Sequence, residues 1–320
     1  MRHVRKMALA LPVAPIAIAA FAPVSVPVPA AAEVAAWPPP DAAGPRPETV
    51  AEAVAMLLES PDIGAFVRYE GLEPIGRDGV VLEGVTVTLL GILGGPLRIE
   101  RAEVAEIDVD SVFRAEQPDT FSIRLDGIDH ATLGESGLLQ AMLPNLVIPE
   151  IDPEASLSLA ASLRHTPEGE PNRRDMVFDL DLERHFAVRG TARYAWPEPG
   201  PRALPISDAA EEFVRVEIEN RGFLGDLVRA QHAARGLPPE AAAAAVLRQM
   251  RAVLSPLVPG SPEAMLLEAA SLALADADGE GIVRIHLATD DPAGLSGVME
   301  DAEAFPDERI RFEISYEPLP

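Results

Sequence analysis

Residues 178–194 read FDLDLERHFAVRGTARY, and their period decides the class of fold. Phe178, Leu180 and Leu182 alternate with Asp179, Asp181 and Glu183. Phe186, Val188, Ala192 and Tyr194 then alternate with Arg189, Thr191 and Arg193. Successive side chains of a strand point to opposite faces, so a period of two puts the apolar residues on one side and the charges on the other. A sheet with one apolar and one wet face is antiparallel in character, because parallel sheets are covered on both sides.

The same period extends outward in both directions. Towards the N-terminus it places Val85, Val87 and Leu89 opposite Thr86 and Thr88, and Leu97 and Ile99 opposite Arg98 and Glu100. The phase slips near Arg101 to Val104, which reads as a bulge or short turn, before Ile107 and Val109 resume. Phe121, Ile123 and Leu125 follow, then Leu157, Leu159, Ala161 and Leu163. Towards the C-terminus the apolar sets are Val214, Val216 and Ile218; Val283, Ile285 and Leu287; and Ile310, Phe312 and Ile314.

Helical spacing is confined to a few segments: 48–58, 134–143, 223–235 ending at Gly236, 240–254 after Pro238 and Pro239, 261–273, and 293–300 behind the capping candidates Asp290 and Asp291. The expected fold is α+β: an extended, twisted, mainly antiparallel sheet with several helices concentrated in the C-terminal half. A proline-rich stretch at 197–205 separates a β-rich N-terminal half, 48–196, from a C-terminal α+β half, 206–320.

Residues 1–32 have the order of an export signal. Arg2, Arg5 and Lys6 precede the apolar run 7–22, and Ala30, Ala31 and Ala32 offer a small-residue cleavage site. A retained anchor is the alternative, since 7–32 is long enough to span a bilayer. Five prolines within that run argue against a regular spanning helix. The expectation is therefore a signal peptide at 1–32, an extended Ala/Pro-rich lead-in at 33–47, no stable membrane span after cleavage, and a periplasmic or secreted mature chain.

Composition removes several chemistries. Lys6 is the only lysine, which excludes a Schiff-base lysine, a phosphate-loop lysine and a Ser-Lys dyad from the mature chain. With no cysteine there is no thiol nucleophile, thiolate metal site or disulfide. The net charge of −25 becomes more negative once the basic residues of the signal are removed. Such a surface repels nucleic acid and anionic headgroups, and suits basic partners or divalent cations.

Catalytic motifs fail on spacing. Around Ser136 and Ser296 the glycines stand too close for a nucleophile elbow. Gly91 to Pro96 joins two strands, so it reads as a hairpin turn and not a phosphate loop. Asp276, Asp278 and Glu280, followed by Gly281, match the start of a calcium loop. Its twelfth position is Leu287, where a bidentate glutamate is required, and a polar turn is the simpler reading. His130, His165, His185, His232 and His286 are dispersed, and pairs such as Asp179 with Asp181 or Glu217 with Glu219 describe a solvated strand face.

Val80 to Thr88 followed by Pro96 to Val104 resembles the repeated strand pairs of bacterial AsmA-like periplasmic envelope proteins. The resemblance covers 79–129, with an echo at 173–194. It implies an elongated, curled sheet whose apolar face handles lipid or lies against another envelope component. Val85, Val87, Leu89, Phe121, Ile123 and Leu125 are then the candidate ligand-binding face. The expected function is a non-enzymatic exported protein binding a lipid-like ligand or an envelope partner, with no cofactor. The alternatives are a hydrolase or metal-dependent enzyme built from dispersed carboxylates and histidines, and a structural or calcium-dependent interaction protein.

Overall fold

The period-two segments that the structure describes become strands, except at Ile107 and Val109. In the computed structural model the described residues are 46–59, 64–88, 96–114, 119–129, 145–152, 155–166, 172–196, 209–253, 262–275, 280–301 and 308–319. Residues 1–45, with the expected export signal, the proline-rich stretch 197–205, residues 91–95 of the expected hairpin turn and the helix expected at 134–143 lie outside them. Eleven strands are found among the described residues: β1 (Val67–Arg68), β2 (Gly71–Ile75), β3 (Gly79–Val87), β4 (Leu97–Ala105), β5 (Phe121–Ile128), β6 (Leu157–His165), β7 (Arg173–Leu182), β8 (Phe186–Ala195), β9 (Ala210–Asn220), β10 (Gly281–Thr289) and β11 (Ile310–Pro318). They form one open antiparallel sheet in which β1 and β2 both pair with β3, and β3 to β11 follow in chain order.

The expected α+β division, with helices gathered in the C-terminal half, is corrected by this arrangement. One sheet runs through both halves, because β8 and β9 pair from Phe186 opposite Asn220 to Ala195 opposite Ala210. Helices flank it from both parts of the chain: α1 (Val50–Glu59), α2 (Val109–Arg114), α3 (Phe223–Arg235), α4 (Pro239–Val253), α5 (Pro262–Ala275) and α6 (Gly294–Asp301). The misreading has a local cause. Ile107 and Val109 continue an apolar alternation, but Glu106 sits at φ 57°. That left-handed residue stops β4, and a helical turn follows. No described helix is long and apolar enough to cross a membrane.

Residues directly opposite one another in an antiparallel pair share a face, so the apolar sets join across the sheet. Val216, for example, lies between Gly190 and Ile285, and Leu180 lies between Leu159 and Val188. This face is the main core, and Leu163, Leu182 and Ile285 are fully buried in it or at its margin. Helix α1 packs on β2 and β3, α5 on β11 and β10, and α6 on β9 and β10.

The phase slip read near Arg101 is shared by three strands. The inward set of β3 is Val80 and Leu82, then Val85 and Val87; that of β4 is Leu97 and Ile99, then Ala102 and Val104; β5 changes from Leu125 to Ile128. The slips lie side by side, since Glu83 faces Arg101 and Arg101 faces Asp126. β6 has no slip, and its pairing with β5 shifts between Leu125 and Ile128. Gly84 (φ 59°) and Gly127 (φ 64°) make the change of face possible. A Cβ at either would meet a glutamate side chain, Glu70 at 2.5 Å or Glu100 at 2.4 Å. Gly84→Ala and Gly127→Ala are each expected to cost about 1–2 kcal/mol from backbone conformation alone, with a further penalty for moving the glutamate. Gly236→Ala, where nothing lies within 4 Å of the new carbon, should show only the conformational part. Urea midpoints of the three variants check the difference.

Candidate functional site

The apolar residues singled out from sequence do assemble on one face. Val85 faces Ile99, which faces Ile128; Leu125 lies between Ala102 and Leu159; Ile123 lies between Val104 and Ala161; and Phe121 faces Leu163. Val85 and Leu125 are buried, 4% and 7% exposed, while Val87, Phe121 and Ile123 are half-buried. Leu89 lies outside the described residues. The cluster containing Val85 and Leu125 also includes Val50 and Ala51 of α1, Ile151, Ala269 of α5, and Leu295 and Val298 of α6. The face is therefore an interior over much of its extent, with half-buried residues at two separate places: Val87 beside Leu97 at one end of β4, and Phe121 and Ile123 near Val104 at the other.

Of the turn acids, Asp276 and Asp278 lie outside the described residues. Glu280 stands immediately before β10, where its carbonyl oxygen accepts a hydrogen bond from the Tyr316 hydroxyl at 3.0 Å. Among the described residues no group of three or more His, Asp or Glu side chains is placed to hold a metal ion. His165 pairs with Asp119 at 3.1 Å, His185 is buried with Nδ1 3.8 Å from Asp226, and His286 lies edge-on to Phe213. His232 bonds the Leu237 carbonyl. An open cleft of about 450 Å³ is lined by Asp78, Glu106, Ile107, Asp108 and Thr120.

The feature that sequence reasoning missed is on the wet face, where opposite charges form a ribbon across β7 to β11. Arg189 Nη1 donates to Glu219 at 3.0 Å, and its guanidinium also lies near Glu217 (3.6 Å), Asp179 (3.5 Å) and Asp181 (3.8 Å). Arg221, just past β9, is bidentate to Asp181 at 2.8 and 3.2 Å and donates to Glu219 at 2.9 Å. Arg284 of β10 continues the ribbon, bonding Glu217 at 3.0 Å and Glu317 of β11 at 2.6 Å. The acid pairs were visible as pairs. Their cationic partners come from other strands, and only the register brings them together.

These neighbours act on the ionisation of the ribbon. The hydrogen bond from Arg221 lowers the pKa of Glu219; burial opposes it, and Arg189 adds to the lowering. Hydrogen bonds to Glu219 and Asp181 raise the pKa of Arg221, against a smaller opposing effect of burial. For Arg189 burial works in the lowering direction, yet Glu219 and Asp179 outweigh it and the net movement is upward. On the opposite face, burial is the larger cause, with Glu211 second, that pushes the Tyr194 hydroxyl up to about 12. Arg221→Met should lower stability at neutral pH by about 1 kcal/mol, a value limited by the partial exposure of the group. A carboxylate with a lowered folded pKa stabilises fully above its unfolded value, about 4.3 for Glu, and loses that contribution as pH falls through the folded value. The gap between wild type and Arg221→Met should thus close as the pH drops through the carboxylate range. Urea melts across that range measure it, and a pH-independent gap would contradict the assignment.

Apolar side chains stand on this face too, Val177 and Phe213 among them. Val177 faces Thr191 and is 44% exposed. Phe213 faces Arg193, whose guanidinium lies 5.4 Å from the ring centroid and is bidentate to Asp175 at 2.7 and 3.1 Å. An exposed aliphatic residue and a half-buried aromatic beside an arginine are thus set among charges on this face. The chain matches no protein-family model, no curated protein and no solved structure.

Proposed function

We propose that the chain is an exported, non-enzymatic binding protein whose wet sheet face receives a protein partner of the cell envelope. The observation that carries this reading is the pairing of an apolar face closed by the protein's own helices with a charged face that displays Val177 and Phe213 between arginine–carboxylate pairs. The charges fix orientation and partner choice, and the two apolar side chains supply the contact that excludes water. The export order of residues 1–32 supports a periplasmic or secreted location.

A photo-crosslinking residue at Val177 tests the reading in cells. It should give a discrete protein adduct that disappears in Phe213→Ala, whereas the same residue at Leu272, 53% exposed on α5, should give none. Adducts of equal yield from both positions would overturn the assignment of the face. A second reading, a lipid-like ligand, is favoured by the half-buried Phe121 and Ile123 at one end of the apolar face and Val87 at the other. Delipidated protein titrated with a fluorescent fatty acid decides between them: saturable micromolar binding lost in Val87→Asn with Ile123→Asn supports the lipid.

A further inference from the structure

Gln231 is the most buried polar side chain among the described residues, at 0% exposure, and both ends of its amide are bound to one residue far away in sequence. Its Oε1 accepts from the Val147 backbone N–H at 3.2 Å, and its Nε2 donates to the Val147 carbonyl at 2.7 Å. A primary amide used in this way reproduces the paired bonds that a neighbouring strand would make, and it reads the main chain of its partner without regard to side chain. One turn further along α3, Arg235 donates to the Asn145 carbonyl, and Gln249 of α4 accepts from the Asn145 side chain at 3.2 Å. On either side of Val147, Leu146 and Ile148 are each 4% exposed and pack with Phe223 and Leu227 of α3 and Val246 of α4. The segment 145–148 belongs to no strand of the sheet.

The arrangement is that of a peptide in a groove: a main chain that leaves a turn at Asn145 and is held at Val147 by an amide clamp, with apolar anchors at positions i and i+2. Leu227, Gln231 and Arg235 are spaced four residues apart, so anchor pocket, clamp and rim lie in one stripe of α3. We propose that the groove between α3 and α4 is a peptide site that the chain's own segment 145–148 occupies, and that it exchanges this segment for a partner segment that presents a free main-chain N–H and C=O between two apolar residues. The buried clamp argues for that occupant chemistry, since an amide with no water access is satisfied only by a ligand presenting an N–H and a C=O side by side. This inference concerns a surface separate from Val177 and Phe213, and stands or falls apart from them.

A tethered segment competes at an effective concentration on the order of millimolar. A free peptide with an intrinsic Kd near ~10 µM would then bind the intact protein about 100-fold more weakly than a protein whose segment is disabled. The experiment titrates full-length protein with a fluorescein-labelled peptide of residues 144–150, PNLVIPE. Leu146→Ser with Ile148→Ser should raise affinity about 100-fold over wild type. Adding Gln231→Leu should abolish the gain, and so should N-methylation of the peptide at the position of Val147. A milder variant, Asn145→Gly, removes only the segment's side-chain bond to Gln249 and leaves the groove intact; it should raise affinity about threefold, which keeps the test decisive if the first variant does not fold. Absence of binding at 100 µM peptide in whichever of these variants melts cooperatively would overturn the proposal, as would binding that survives Gln231→Leu.

Discussion

Val216→Asp is expected to destabilise the protein by about 3–5 kcal/mol, the cost of an unpaired charge in an apolar interior, while its neighbour Glu217→Ala changes stability by less than about 1 kcal/mol. Val216 is 2% exposed between Gly190 and Ile285 of the flanking strands. The inward residues around it, Val188, Ala192, Val214, Ile218, Val283 and Leu287, are apolar and offer no countercharge. Glu217 projects to the other side, bonded to Arg284 and a third exposed. Thermal and urea unfolding of the two variants measure the contrast, and equal shifts would contradict the phase of β9.

Gly190→Val should cost about 2–3 kcal/mol through overpacking. The ring of Phe178 lies directly on this glycine: a Cβ would stand 2.0 Å from its Cε1 and 2.2 Å from its Cζ. Phe178 is itself 8% exposed and faces Gly190 in the β7–β8 pair, so the ring has taken the volume that a side chain would fill. The two positions must therefore be coupled. Adding Phe178→Leu to Gly190→Val should be less damaging than the sum of the separate losses, and a double-mutant cycle in urea measures the coupling. Additive losses would mean that the ring does not depend on the glycine.

The sheet was legible because alternation is a local property, carried by neighbours such as Val283, Ile285 and Leu287. Helix α3 was legible to its last residue, since Gly236 adopts the left-handed conformation expected after a helix end. Features set by partners distant in sequence were not. Arg101 revealed a slip in β4, but a lone glycine in β3 or β5 gave no sign that Gly84 and Gly127 would align with it. β2 was missed because Pro74 interrupts its pattern and only edge pairing with β3 makes it a strand. The clamp of Gln231 on Val147 spans 84 positions, and a glutamine in an amphipathic helix is indistinguishable in sequence from a solvated one. The charge ribbon lay between these cases: Asp179, Asp181, Glu217 and Glu219 could be placed on a face, whereas their cations depended on register.

The strand order of this sheet has a consequence for how the chain can be assembled. From β3 onward the partner of every new strand has already been synthesised, so the sheet can lengthen at a single edge, one strand at a time. A polypeptide threaded N-terminus first through a narrow opening would meet its template immediately on emergence. Short closures of this kind carry a small entropic barrier and favour rapid folding. The longest excursion, from Asn220 of β9 to Gly281 of β10, is spanned in large part by α3, α4 and α5, helices that can form from local contacts before the next strand arrives. Such a molecule grows like a ribbon from a loom, with each finished row serving as the guide for the next.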